Sequence, residues 1–330
     1  MIGMSRIDTS AMAELLGAAG EPTRLRVLAL LSRGELAVGE IAQVLAQSQP
    51  RVSRHLRVLA EAGLVTRQPE GAWVFFRAAN HGAPARLIAS VLAELDPADS
   101  VLARDAERLG AVHAARAEQA ATYFEANAEE WTALRRLHQP EAAVEAAMVD
   151  ASGQGRFDLH LDLGSGTGRV LELFLDRSAR AEGVDASRKM LAVARANLDA
   201  GAGMRVGLRQ ADILALPYES GCADLVTIHQ VLHYLADPAA AVAEASRLVA
   251  PGGRLLIADF APHSFEELRA NHQHRRLGFA DDEVAAWYRD AGLETLSIAQ
   301  VQPEGTQGPA LAVTLWAALR PPEPSVRRAA

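Results

Sequence analysis

The chain of 330 residues contains a single cysteine, Cys222, and a single lysine, Lys189. One cysteine excludes an intrachain disulfide framework, dithiol redox chemistry and multi-cysteine zinc sites. Aromatic residues are scarce, at 5%. No apolar run approaches the roughly 18 residues needed to span a bilayer. The segment 1–10 lacks the basic-then-apolar order of a secretory signal. The chain is therefore expected to be cytoplasmic, with no membrane partner.

What is present is an ordinary globular mixture, 49% hydrophobic and 22% charged. At about 150 residues per domain the length suggests two domains. The net charge of −8 is unevenly spread: residues 1–96 hold ten arginines against nine acidic residues, so the remainder is strongly acidic. A near-neutral front part and an acidic back part point to different tasks.

The front part alternates short helical patterns with one strand pair. Glu21 to Gly34 begins on Pro22 and ends on a capping glycine. Leu25, Leu28 and Leu31 share its inner face. Val38 to Leu45 makes a second, short helix. Gln47 to Gly63 makes a third, in which Ser48 is placed to cap and Val52, Leu56 and Leu59 face inward. Gln49, Arg51, Ser53, Arg54 and Arg57 are left outside, a face with three arginines and no acid. Leu64–Gln68 and Trp73–Arg77 read as two strands joined by a turn over 69–72. This order is that of a winged helix-turn-helix, whose recognition helix presents polar side chains to base edges while arginines hold phosphates. Gln47, Ser48, Gln49, Arg51, Ser53, Arg54 and Arg57 are the candidate DNA contacts, with Arg67 and Arg77 added from the hairpin.

The stretch from Glu21 to Ala78 closely resembles the ArsR family of bacterial transcriptional regulators, in Pro22-Thr-Arg24, Arg51-Val-Ser-Arg-His-Leu56 and Ala62-Gly-Leu-Val65. The resemblance implies a homodimer on an inverted-repeat, double-stranded DNA operator, usually as a repressor. Many metal-sensing members read Glu-Leu-Cys-Val-Cys in the short helix. Here the segment is Glu35-Leu-Ala-Val-Gly39, and Pro84 to Leu95 has no histidine. No thiolate or imidazole pair is available, so no metal site is expected.

The middle is helix-forming. Asp99 to about Leu137 reads as one long helix or two in line, with Leu102, Ala106, Leu109 and Val112 as a narrow apolar stripe. By resemblance this stripe pairs at a dimer interface; the plain alternative is a spacer. Tyr123 to Trp131 looks like the N-terminal helix of small-molecule methyltransferases.

The back part alternates strands and helices, which predicts a mostly parallel sheet. His160-Leu-Asp-Leu-Gly-Ser-Gly-Thr-Gly168 is a strand entering a glycine turn. Its spacing is G-x-G-x-G, where a dinucleotide site wants G-x-G-x-x-G. Asp185 ends the next strand, placed to hold two ribose hydroxyls. Met204–Ile213, Ala223–His229, Gly253–Asp259, Leu293–Val301 and Ala310–Leu319 read as further strands. Asp212 sits where a carboxylate can accept from an adenine amine.

This run resembles class I S-adenosylmethionine-dependent methyltransferases, particularly the UbiE-like small-molecule group, over about 120–319. The matching motifs are Asp162-Leu-Gly-Ser-Gly-Thr-Gly168, Val184-Asp185, Ala211-Asp212 and Asp224-Leu-Val226. The resemblance implies S-adenosylmethionine as cofactor and S-adenosylhomocysteine as product. It implies cofactor contacts from Asp162, Gly164, Ser165, Gly166, Gly168, Asp185, Ala186, Asp212, Ile213 and His229. The segment from His229 to Asp237 would lie beside the sulfonium, making His233 or Tyr234 a candidate base or, equally, a residue that only shapes the pocket. A NAD-binding domain is the less favoured alternative. Arsenite methylation is excluded because it uses several thiolates.

The expected architecture is multidomain. A winged helix-turn-helix occupies 1–96, a helical connector or dimerisation segment 97–118, an α/β Rossmann-like methyltransferase domain with a seven-stranded, mostly parallel sheet 119–320, and a disordered tail 321–330. The expected function is a DNA-binding regulator whose second domain methylates a small molecule. The alternatives are a non-catalytic repressor that senses S-adenosylmethionine or S-adenosylhomocysteine, and an enzyme whose winged helix has lost DNA binding.

Overall fold

A computed structural model describes residues 6–126, 141–198, 202–301 and 311–322. The chain divides into two compact units, one of residues 1–122 with 191–210, the other of 123–190 with 211–330.

The first unit opens with α1 (Thr9–Ala19), α2 (Pro22–Leu31), β1 (Leu36–Ala37), α3 (Val38–Leu45) and α4 (Gln49–Glu61). The hairpin β2 (Val65–Glu70) and β3 (Trp73–Ala78) follows, then α5 (Gly82–Ala93) and α6 (Ser100–Ala126). Pro22 occupies the first turn of α2, where the amide it lacks has no helical partner to lose. Val52, Leu56 and Leu59 on α4 are fully buried against Val27, Leu31 and Ile41 in one apolar core. Ser48 is the N-cap of α4, but its hydroxyl makes no capping bond. The turn of the hairpin is tighter than expected, only Gly71-Ala72, because β2 continues through Pro69 and Glu70. β1 was not legible from sequence; its two residues pair with Phe75 and Phe76 of β3.

α6 begins at Ser100, three residues into the expected 97–118 connector, and runs without a break past its end. Residues 127–137 of the expected long helix, and the end of the Tyr123–Trp131 segment, lie outside the described residues. The expected interface stripe on α6 is partly spent within the chain: Leu109 and Val112 are buried in the winged-helix core. Three arginine contacts tie α6 to the same core. Arg26 makes two 2.7 Å bonds to the buried Asp105, Arg108 donates to the Val44 carbonyl, and Arg116 donates to Glu40 and to the Glu35 carbonyl.

The remaining elements are α7 (Glu141–Ala151), β4 (Phe157–Leu163), α8 (Arg169–Phe174), β5 (Ser178–Asp185), α9 (Arg188–Leu198), β6 (Val206–Gln210), β7 (Ala223–His229), α10 (Pro238–Leu248), β8 (Val249–Phe260), α11 (Glu267–His272), α12 (Asp281–Asp290), β9 (Glu294–Val301) and β10 (Val313–Leu319). The seven strands are ordered β6-β5-β4-β7-β8-β10-β9. β4 runs parallel to β5 and β7, and β7 parallel to β8. β10 is antiparallel to both of its neighbours. Strands β4, β7 and β8 are largely buried on both faces, as helices covering both sides of a sheet require. The chain leaves β4 toward β5 on one side and returns as β7 on the other. That reversal makes the crevice beyond the C-terminal ends of β4 and β7 the place where such sheets bind ligands. The sheet is the Rossmann-like, mostly parallel one expected. The strand expected over Met204–Ile213 is shorter, so Asp212 falls in the turn after it. Of the expected tail, 323–330 lies outside the described residues. Among the described residues no helix is long and apolar enough to cross a membrane.

Candidate functional site

In the second unit, β4 delivers Asp162 and the glycine turn to the switch-point crevice. The N–H groups of Gly164 and Ser165 both donate to the Val184 carbonyl, at 2.7 and 2.9 Å, pinning the turn to the end of β5. Gly164 has φ +77°, and any Cβ there would overlap the Val231 side chain. Gly166, at φ +50°, faces open space. Glycine is thus demanded at the first position by backbone conformation and by the β7–α10 loop. At the second it leaves a cradle in which a ligand can approach the backbone.

Both Asp185 oxygens are engaged locally. Oδ2 accepts from Gly166 N–H at 2.9 Å and Oδ1 from Ser187 N–H at 2.7 Å. Burial raises the Asp185 carboxyl above its ordinary range, and those two amides oppose it. Each oxygen keeps acceptor capacity for a hydroxyl. Ala186 and Asp212 are exposed, and Ile213 is buried beneath them in sequence.

Asp162 is 1% exposed. Its Oδ1 accepts from Thr227 Oγ at 2.7 Å, and Thr227 in turn meets His160 Nε2 at 2.8 Å. Its Oδ2 is buried with no hydrogen-bond partner among the described residues. Burial lifts the carboxyl to about 7, helped by the charge of Asp185 and opposed by Thr227. Burial likewise drops His160 to about 3, so His160 is a neutral structural donor. Ser165 Oγ is a second buried polar atom without a partner. Two unfulfilled polar groups beside an open glycine cradle are the local chemistry expected of a site for a polar ligand.

The β7–α10 loop carries the reactive candidates. Gln230 takes φ +55° and donates its N–H to the Ala258 carbonyl at 2.7 Å, which turns the chain sharply after His229. His233 is 1% exposed. Its Nδ1 lies 2.7 Å from Asp259 Oδ1. Asp259 ends β8, is fully buried, and also accepts from Leu232 N–H and Phe260 N–H. Burial opposes its ionisation. The charge and ring N–H of His233, with the two amides, outweigh that and hold the carboxyl below its ordinary range. An ionised Asp259 can only accept, so Nδ1 is the donor of this pair. The His233 ring lies 4.2 Å from His274 and 4.0 Å from Tyr234. Arg275 and Arg276 N–H groups donate to the His233 carbonyl. Tyr234 itself is 43% exposed. His229 is pushed below the usual imidazole range by burial, against the pull of Asp259 and Glu145.

The sequence singles out His233 as a candidate but not its partner. In sequence Asp259 is only the last residue of an expected strand. Nothing in its spacing from His233 points to pairing, because β7 and β8 become neighbours only in the sheet.

In the first unit, α4 presents Gln49, Arg51, Ser53, Arg54 and Arg57 to solvent, with Ser48 exposed ahead of them and Arg67 exposed on β2. Gln47 is half-buried. Arg77 is a correction: it is 8% exposed, donates to Thr66 Oγ, and lies against Gly207, where a Cβ would collide with its guanidinium. Phe76 and Ala78 face the winged-helix core, so Arg77 lies on the other face of β3, and that face is covered at residue 207 rather than open to solvent.

Residues 21–67 match the family described as bacterial regulatory protein, arsR family, and residues 161–257 match a methyltransferase domain. A demethylmenaquinone methyltransferase of Thermus thermophilus is 41% identical over 104 residues, 31% of this chain and 47% of that protein. The arsenical resistance operon repressor of Escherichia coli is 45% identical over 62 residues, 18% of this chain and 53% of that protein. The chain thus spans about half the length of these two relatives. An HTH-type transcriptional regulator of Methanocaldococcus jannaschii is 43% identical over 65 residues, 19% of this chain and 73% of that protein. The chain belongs to the arsR family of bacterial regulatory proteins and carries, fused to that DNA-binding part, a methyltransferase domain.

Proposed function

We propose that this regulator binds an operator through α4 as a homodimer and that its methyltransferase domain transfers a methyl group from S-adenosylmethionine to a small molecule. Bound at the switch point, that cofactor supplies an electrophilic methyl group. Asp185 holds the ribose hydroxyls, Asp212 and Ile213 frame the adenine, and Asp162, Gly164, Ser165, Gly166, Gly168, Ala186 and His229 border the rest. The observation that carries turnover rather than sensing alone is the buried His233–Asp259 pair. A sensing site needs the glycine cradle and Asp185. It does not call for an imidazole whose Nδ1 is tied to a buried carboxylate. His233 takes the acceptor's proton at Nε2, and Asp259 stabilises the imidazolium that forms. A positioned base of this kind contributes roughly 10²–10⁴-fold to rate.

The test is direct. The purified chain is titrated with S-adenosylmethionine and then incubated with a panel of hydroxyl- and amine-bearing small molecules, following S-adenosylhomocysteine formation. Saturable binding that Asp185→Ala weakens, with turnover that His233→Asn lowers, is the expected result. Binding without turnover on any acceptor would favour the sensing alternative, and no binding would overturn the reading.

A further inference from the structure

The site just described ends at the Asp185–Ser187 loop, and α9 begins at the very next residue, Arg188. From Leu191 onward, α9 and β6 belong to the winged-helix unit. The side chain of this segment that grips the wing is Arg195, 4% exposed and about two helical turns beyond Arg188. Its guanidinium makes a two-pronged contact with Glu70, at 2.7 and 3.2 Å. Its Nε lies 3.4 Å from Glu35 Oε2. Its Cζ sits 3.5 Å from the centroid of the Phe75 ring. Glu35 also accepts the Leu208 N–H at 3.0 Å. Beside them Arg77 fills the space that a side chain at residue 207 would need. Glu70, Phe75 and Arg77 are all residues of the β2–β3 wing, and Arg67 is exposed three residues before Glu70 on the same strand.

Stability does not explain this cluster. Buried ion pairs are commonly matched or bettered by apolar side chains of similar volume, yet removing one partner strands a buried charge. A planar fork gripping one carboxylate while stacked on a ring tolerates little displacement. A shift of α9 must therefore carry the wing with it or break the grip. That is the property of a coupling rather than of a glue.

We infer that Arg195, gripping Glu70 and Glu35 over Phe75, is the coupling through which occupancy of the Asp185 loop alters the wing and so the affinity for DNA. This inference rests on the proposed cofactor and operator binding. A ligand that orders Asp185 and Ser187 fixes the start of α9. The helix transmits that as a rigid rod, and the wing that bears Arg67 responds. The route runs through α9, not through the long helix α6.

The probe is S-adenosylhomocysteine, with a duplex selected by the full-length protein from a random-sequence library. Duplex affinity is measured with and without saturating probe, alongside probe affinity alone. In the wild type the ratio of the two duplex affinities is expected to fall in the range of about 5–150-fold typical of coupled sites. Arg195→Met is expected to bring the ratio to unity while each ligand, measured alone, still binds. Glu70→Gln keeps the shape of the cluster and is expected to shrink the same ratio; it decides the matter if Arg195→Met does not fold. Hydrogen exchange supplies the second readout: the probe should slow exchange over 65–78 in the wild type and not in either variant. A folded variant that keeps the wild-type ratio overturns the coupling. So does a wild type that binds both ligands with no ratio at all, which would leave the proposed function standing. A wild type that does not bind the probe overturns both.

Discussion

Asp162 offers a stability measurement that needs no substrate. Its carboxyl is 1% exposed, Oδ1 is satisfied by Thr227 and Oδ2 has no partner among the described residues. Ionising it strands half a charge-bearing group in the core, which is why its value is lifted from 3.8 to about 7. Between those two values the unfolded chain releases the proton while the folded chain retains it. The folded state therefore loses stability as pH rises through that window and levels off above about 7. The gap is worth about 4 kcal/mol in total, of which about 3 kcal/mol falls between about pH 5 and pH 8. Asp162→Asn keeps the acceptor for Thr227 and cannot ionise. The stability of this variant relative to wild type should rise by that amount across the same interval. Its own cost, an amide N–H₂ left without a partner, is independent of pH and only offsets the curve. Urea unfolding followed by circular dichroism at several pH values, variant minus wild type, isolates the effect from the other carboxylates. A difference that stays flat from about pH 5 to pH 8 would refute the burial argument.

Asp259→Asn should cut methyl transfer by roughly 10²–10⁴-fold with cofactor affinity little changed, read as S-adenosylhomocysteine formed per time, because the amide cannot stabilise an imidazolium. Gly164→Ala should abolish cofactor binding in a calorimetric titration, since it is strained at positive φ and overlaps Val231. Arg54→Ala should weaken duplex binding by about 1–3 kcal/mol and relax preference at one base if it reads a guanine. Uniform weakening with a shallower salt dependence would make it a phosphate contact, and no change would remove α4 from the interface. Arg77→Ala, in contrast, should show its effect in thermal unfolding, since its side chain is packed inside the unit.

Much of this protein was legible along the chain because the deciding interactions are local. Val52, Leu56 and Leu59 fall on one face of α4 by helical periodicity alone, which leaves the arginines outside. The glycine turn announces itself because only glycine fits where the backbone is left-handed and crowded by Val231. Asp185 follows from its distance beyond that turn, a spacing fixed by one strand–helix–strand passage. What periodicity and spacing cannot supply is which distant side chains meet. Asp259 becomes the partner of His233 only when β8 lies beside β7. Arg77 alternates to the face of β3 opposite the core residues Phe76 and Ala78, a face that would be open to solvent if the distant residue 207 did not cover it. The stripe on α6 looks the same in sequence whether it awaits a second copy or packs at home, and Leu109 and Val112 pack at home. Arg195 reads as one more surface arginine on an amphipathic helix. Only the tertiary structure makes it a buried charge, by setting Glu35, Glu70 and Phe75 around it, residues 160, 125 and 120 positions away in the chain.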